Sequence, residues 1–396
     1  MKIINKGRRR IILKIVAVIV LTGLFVCAAT CNSFIPRHIA DYYCTNIFPY
    51  ISAPFQTFSM CFQFSLTENL IICLAPLLLA GLILWTVVLI KKSLSSGLIS
   101  YLYKSYRNLM ILMIAGAVIF QAMHGINYRR TRVITELDLN TEEELKYEDY
   151  LEALKWAYAG MIEARSHLGE DYNGVSHMTN SFENSAAYAC SLLDAFSKEY
   201  DIPLSTNYVR AKPVSMSHYW SYTYIVGMYD PFLGEANINT DFMGVTDYPI
   251  TLCHELCHTK GYASETDCNL LSTLACCSSK RADFRYSGYY EIFWTLFYMT
   301  AEIADATGEV MPQYDVTSEM KPVYLDMRAS NLYWETIDKE VDNIYELLGI
   351  NITEASNTAN DTFLKSNGES GVDSYNVPES VYVRFYLTYV AGVEDA

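Results

Sequence analysis

Histidine is scarce in this chain, with seven among 396 residues, so chemistry that needs imidazole has few places to occur. Cationic residues are scarce after residue 124, where 18 Lys and Arg face 42 Asp and Glu. A surface that acidic excludes nucleic acid as a partner. Apolar runs long enough to cross a bilayer are also missing from that region, which excludes a reaction centre inside the membrane for any motif found there. The eleven cysteines are odd in number and crowd one short stretch, which excludes a disulfide framework, although Cys44 and Cys61 could pair. No internal repeat is present.

What the first 124 residues do have is apolar length. Of three runs, at about 11–30, 70–90 and 109–124, the first two reach the size of a bilayer-spanning helix and the third, shorter, can be extended at both ends. Cleavage of the first run as a signal peptide is an alternative, but the run is long for a signal core. Cationic residues gather at 1–10 (Lys2, Lys6, Arg8, Arg9, Arg10) and at 91–107 (Lys91, Lys92, Lys104, Arg107). By the bias of positive charge toward the cytoplasm, both segments lie inside. The loop 31–68 and everything from residue 125 onward then lie outside, with Arg129, Arg130 and Arg132 dissenting. The expected organisation is a membrane anchor, 1–124, followed by an extracytoplasmic domain, 125–396.

Within that domain one stretch carries chemistry: His254-Glu255-Leu256-Cys257-His258, then Gly261, then Glu265-Thr266-Asp267-Cys268-Asn269. For this composition, chance supplies such a His-Glu-x-x-His pentapeptide only roughly 0.008 times. Two His one helical turn apart leave the same face and can bind one cation. Glu255, beside the first of them, is placed to accept a proton from a water that the cation activates. Gly261 permits a left-handed bend that ends the helix and returns the chain toward the metal. The third ligand is expected to be Glu265, with Asp267 and the more distant Glu302 as alternatives. Ser264 and Asp267 have capping-box spacing, which gives Asp267 a structural task. Asn269 falls on the face of Glu265, within reach of a ligating His. The rival thiolate site, built from Cys253, Cys257, Cys268, Cys276 and Cys277, is set aside because small buried cysteines at such positions pack.

Hydrophobic periodicity predicts helices over 142–168 (acidic first turn Glu142-Glu143-Glu144), 182–199, 289–305 and 332–348, and a helix opened by Pro249. Residues 220–229 are rich in β-formers and read as strand. Ala236 to Asn239 reads as a second short strand, able to hold an extended peptide along the cleft. The polar segment 354–372 reads as a mobile loop, and 378–391 as a closing helix or strand. The fold class is therefore mainly α (α+β): three N-terminal transmembrane helices, then a mostly helical, zincin-like domain with a small β-sheet.

Taken with Ile47-Phe48-Pro49, Phe64-Ser65-Leu66, Gly227-Met228-Tyr229-Asp230-Pro231-Phe232 and Gly234-Glu235-Ala236-Asn237, these motifs make nearly the whole chain resemble the bacterial membrane family known as domain of unknown function 3810. The family's pattern after the glycine resembles E-x-E-A-N, and this chain departs from it at Asp267 and Cys268. The resemblance implies a zinc-peptidase-like domain. The expected function is a membrane-anchored zinc metallopeptidase: His254, His258 and Glu265 bind Zn2+, Glu255 is the general base, and the partners are the bilayer and a peptide or protein substrate. Tyr375, His218 and Tyr229 are candidate donors to the developing oxyanion, and Glu235 a candidate for binding a substrate terminus. The alternative is a non-catalytic membrane-anchored zinc-binding or scaffold protein, for which Asp267 would close a fourth coordination position.

Overall fold

A computed structural model describes residues 2–94, 97–139, 141, 143–314 and 319–392, with 2–6 in backbone only. Glu142 lies outside the described residues. The N-terminal part comprises helices α1 (Lys2–Thr30), α2 (Arg37–Asn46), α3 (Phe48–Met60), α4 (Leu66–Ser93) and α5 (Leu98–Met123). Three stretches are long and apolar enough to cross a membrane: Gly7–Phe34, Leu66–Ser93 and Leu98–Met123. Polar residues near the ends of the apolar runs continue the helical hydrogen bonding, so the helices outrun the hydrophobic segments.

Two further short helices and two long ones lead into the sheet: α6 (Val133–Glu136), α7 (Tyr147–Ser166), α8 (Phe182–Glu199) and α9 (Ser217–Ser221). Strands β1 (Lys212–Pro213), β2 (Gly227–Asp230) and β3 (Glu235–Ile238) form a sheet of order β1-β3-β2. In it β1 runs parallel and β2 antiparallel to β3. Helices α10 (Tyr248–Thr259), α11 (Glu265–Cys277), α12 (Ala282–Thr307), α13 (Lys321–Leu348), α14 (Ile352–Ser366) and α15 (Glu379–Phe385) complete the chain. Pro249 opens α10, and Gly308 and Gly349 end α12 and α13 in the left-handed conformation a side chain would resist. Leu252, Leu256, Leu271, Leu274, Phe284 and Phe293 meet in the core between α10, α11 and α12, which α7 and α8 cover.

Four expectations are corrected. Residues 31–68 are not a loop but the helices α2 and α3. Residues 354–372 are mostly α14, capped by Asn351, whose side chain accepts from the Glu354 amide: its polar residues face water on a helix that packs with little more than Leu364 buried. Of 220–229 only the last three residues, from Gly227 on, are strand. Ser217–Ser221 is helical, because Ser217 and the Val214 carbonyl bond locally and start a turn there. The Cys44–Cys61 pairing does not form, since all eleven cysteines are free and the Cys44 thiol donates to Asn127 instead.

The anchor and the rest of the chain share their buried polar groups. Glu235 on β3 accepts from the Leu66 and Thr67 amides at the start of α4 and from the Ser59 hydroxyl. Lys212 on β1 lies 2.8 Å from the Glu235 carboxylate, both fully buried. Glu68 in turn accepts from the Ser215 and Met216 amides. Glu235 is thus a structural anion that fastens α4 to the sheet, not a residue for substrate. Removing the cation alone would strand that charge: Lys212→Met is expected to cost about 3–5 kcal/mol of stability. Chemical denaturation in detergent micelles checks this, and a loss under about 1 kcal/mol would mean that Glu235 is solvated.

Candidate metal centre

Helix α10 carries His254, Glu255 and His258, and α11 begins with Glu265. Between them Gly261 takes φ +97°, and a Cβ there would lie 3.1 Å from the Phe48 ring. Its carbonyl accepts from Arg130 at 2.8 Å, and the Arg130 guanidinium lies 3.5 Å from the centre of the Tyr262 ring. Gln56 on α3 donates to the Thr259 carbonyl at the end of α10. The bend between the two helices is therefore held by residues on both sides of position 124. Arg130, with a second bond to the Pro203 carbonyl, and Arg132, paired with Glu369 and Asp267, are spent on this packing.

The bend brings three atoms together. His254 Nε2 lies 3.2 Å from His258 Nε2 and 3.0 Å from Glu265 Oε2, and His258 Nε2 lies 3.6 Å from the same oxygen. Donors bonded to one tetrahedral dication at about 2.0–2.2 Å would stand about 3.3–3.6 Å apart, close to the spacing here. The hydrogen bonds outside the cluster decide the tautomers. Asn269 donates its amide to the Tyr375 carbonyl, so its oxygen accepts from His254 Nδ1 at 2.6 Å. The Tyr262 carbonyl, which can only accept, stands 2.9 Å from His258 Nδ1. With both Nδ1 atoms carrying hydrogen, the two Nε2 positions and a carboxylate oxygen converge, and a positive charge among them, a proton on His258 or a bound cation in its place, relieves their mutual repulsion. Burial opposes a proton on His258, yet the Glu265 carboxylate outweighs it and holds the group up to about 9. In the same contact Glu265 falls well below the ordinary carboxylate range, against its burial.

Glu255 is 5% exposed, and its Oε2 has no hydrogen-bond partner among the described residues. Burial raises its carboxyl, while the two histidines pull it down. It fits there because position 227 is glycine: a Cβ on Gly227 would stand 2.5 Å from Glu255 Oε1. Strand β2 thus lies directly along the cluster. Being bonded only to β3, it is also an edge strand, whereas the predicted cleft strand, β3, is paired on both sides.

Asp267 is not part of the cluster. It accepts from the Val133 amide at 3.0 Å and lies 3.3 Å from Arg132, and burial pushes it up to about 6 against the pull of that arginine. The Ser264–Asp267 capping box does not form, since Ser264 makes no side-chain cap. Glu302 is exposed on α12. His218 lies elsewhere, between Asp241 at 2.8 Å and Glu340 at 2.9 Å. Tyr229 is at the cluster, stacked on His258 with ring centroids 5.8 Å apart, but its hydroxyl points to the Met123 carbonyl. Tyr375 is also there, its ring 6.4 Å from that of His254. The cysteines around the motif are buried, and burial raises the thiols of Cys253, Cys268, Cys276 and Cys277, which keeps them from acting as thiolates.

One neighbour escaped the sequence reading. His124, the residue after α5, packs its ring 5.7 Å from His258 and 5.3 Å from Tyr229. Burial holds it down to about 3, so it stays neutral. Its only sequence signal is its place at the end of an apolar run, which does not say what that end touches.

The sequence model of the family described as protein of unknown function (DUF3810) matches residues 43–378, and the chain belongs to that family. No curated protein and no solved structure matches it.

Proposed function

We propose that this DUF3810 chain is a membrane-anchored, zinc-dependent metallopeptidase. The observation that carries the reading is the convergence of His254, His258 and Glu265 on one point, with an unpartnered buried carboxylate, Glu255, alongside. Among the described residues no fourth protein group joins the three donors, and Asp267 is engaged with Arg132 and Val133. An open position favours catalysis over the structural-zinc alternative.

Zinc held there would supply Lewis acidity, polarising a peptide carbonyl and acidifying a water at its open position. Glu255 takes the proton of the attacking water and returns it to the leaving amine as the C–N bond breaks. Asn269 and the Tyr262 carbonyl keep both imidazoles turned the right way. Tyr375 is the best-placed donor to the oxyanion: it is 38% exposed beside His254, and its hydroxyl has only a 3.4 Å contact to Asn360. The free edge of β2 offers backbone groups to an extended substrate. Because 31–68 packs with the domain while Lys91-Lys92 lies at the other end of α4, the charge bias puts the domain outside the cell and the N-terminus in the cytoplasm. The contact of His124, the residue after α5, with His258 supports a reaction close to the membrane surface.

The test is metal removal on the full chain in detergent. A chelator is expected to abolish hydrolysis of a mixed peptide library, and added Zn2+ to restore it. Cleavage that persists with the metal stripped would refute the reading.

A further inference from the structure

The centre is closed in: none of His254, Glu255, His258 and Glu265 is more than 8% exposed. A peptide carbonyl must come within about 2 Å of a cation held there, so part of the cover has to move. Helices α10 and α11 belong to the core. Helix α14 does not, since Leu364 is its one buried residue. Ile352, Ser356, Asn360 and Leu364 form its inner stripe at helical spacing, and half of that stripe is polar. This side of α14 lies against two aromatic residues that flank the cluster. Asn360 contacts the Tyr375 hydroxyl at 3.4 Å, and the Tyr375 ring stands beside that of His254. Phe363, three residues on, meets the Phe120 ring at 5.9 Å; Phe120 meets His124 at 5.8 Å, and His124 packs on His258.

Helix α14 follows α13, which buries Val323, Asp326 and Ile337. Asp326 pins the first half of α13, accepting from Arg165, Tyr286 and the Ser176 amide. The second half is held largely by polar contacts to residues 217–241, with His218 at their centre. Its Nδ1 lies 2.8 Å from Asp241, on the loop after β3, and its Nε2 lies 2.9 Å from Glu340 on α13. Tyr222 also donates to Glu340, Tyr333 to Asp241, and Tyr224 to Asp338. The Tyr219 and Tyr222 rings stand edge-on to the imidazole, and Thr353 at the start of α14 donates to the Tyr222 carbonyl. Among the described residues no Lys or Arg pairs with Asp241 or Glu340. A carboxylate accepts and a neutral imidazole has one N–H, so both bonds coexist only on the imidazolium. The bond to Asp241 raises the proton affinity of His218, its slight burial opposes this, and Glu340 adds to it. A histidine raised in this way keeps its contacts in full below its ordinary value, about 6.5. It loses them as pH climbs through the higher folded value.

We propose that α14 and the second half of α13 form a lid over the metal centre, latched by protonated His218 and released as pH rises. Few buried apolar contacts and a polar latch put this arm at the low-stability end of the fold, where moving covers are found. That a peptide enters beneath the lid rests on the metallopeptidase reading; that the lid opens does not.

The test compares full-length wild type, His218→Gln and Glu340→Gln in detergent with added Zn2+, each at about pH 6 and about pH 9, on either side of the histidine range. Comparing proteins at one pH cancels the intrinsic pH dependence of amide exchange. At the lower pH both variants are expected to exchange the amides of 332–366 about threefold faster than wild type, the scale of an exposed charge contact. They should lose zinc to a chelator faster by a similar factor. At the higher pH, where wild type has also lost its latch, the three proteins should agree. Equal exchange at the lower pH, a difference that persists at the higher one, or faster exchange with unchanged zinc loss would overturn the lid. If no zinc is taken up, the metallopeptidase reading fails first and exchange alone decides the lid. Peptide hydrolysis is assayed on the same samples: a lid that opens in this way over a centre that cuts nothing would remove the peptidase and keep the latch.

Discussion

Replacing His258 with alanine is expected to empty the metal centre. Two donors would remain, His254 and Glu265, and a dication bound by two groups in a buried site loses far more than when an outer hydrogen-bond partner is removed. That lesser change typically costs 10–100-fold, so the affinity of His258→Ala for Zn2+ should fall by more than about a hundredfold. The measurement is zinc per chain on purified full-length protein, because Phe48, Gln56 and Glu68 help hold the domain and a fragment starting at 125 would lack them. The wild type should also show a proton signature. His258 is held up to about 9 when no metal is present, burial being outweighed by Glu265, so below that pH an incoming cation must displace a proton. Affinity should then rise with pH by about tenfold per unit and level off near the folded value. Equal zinc in wild type and His258→Ala would end the site assignment.

Replacing Glu255 with glutamine should leave zinc in place and remove hydrolysis. The amide keeps the shape that Gly227 accommodates, and Glu255 is not among the converging donors, so metal content is expected to stay within about twofold. What is lost is the proton acceptor. A positioned general base contributes about 10²–10⁴-fold, and turnover at saturating peptide should drop by that factor. A variant that still cuts at the wild-type rate would take Glu255 out of the reaction.

Much of the helical architecture was legible because it rests on local rules. The three apolar runs, the Pro249 start and the predicted cores of α7, α8, α12 and α13 all match described helices. The errors fall where polar composition was taken for irregularity. Residues 352–366 are polar but capped and helical, and 31–68 lack charge but are two helices. The strand assigned to 220–229 survives only from Gly227 on, the earlier residues belonging to the end of α9 and the turn after it. At the site, the spacing of His254 and His258 and the bend at Gly261 are local properties that one helix and one glycine decide. The identity of the acid that joins them is different, because Glu265 and Asp267 are two residues apart at the start of one helix.

What sequence alone determined here is what a single element can determine: which segments are long and apolar enough for a bilayer, and that two imidazoles leave one helical face. Tertiary structure decided everything that needed a second element. It turned Asp267 toward Arg132 and Glu265 toward the histidines, committed Glu235 to Lys212 and the amides of α4, and brought His124 from the end of α5 against His258. The reason is physical. A carboxylate leaving water goes to whichever cation or amide the fold presents within about 3 Å, and that neighbour comes from far away in the chain.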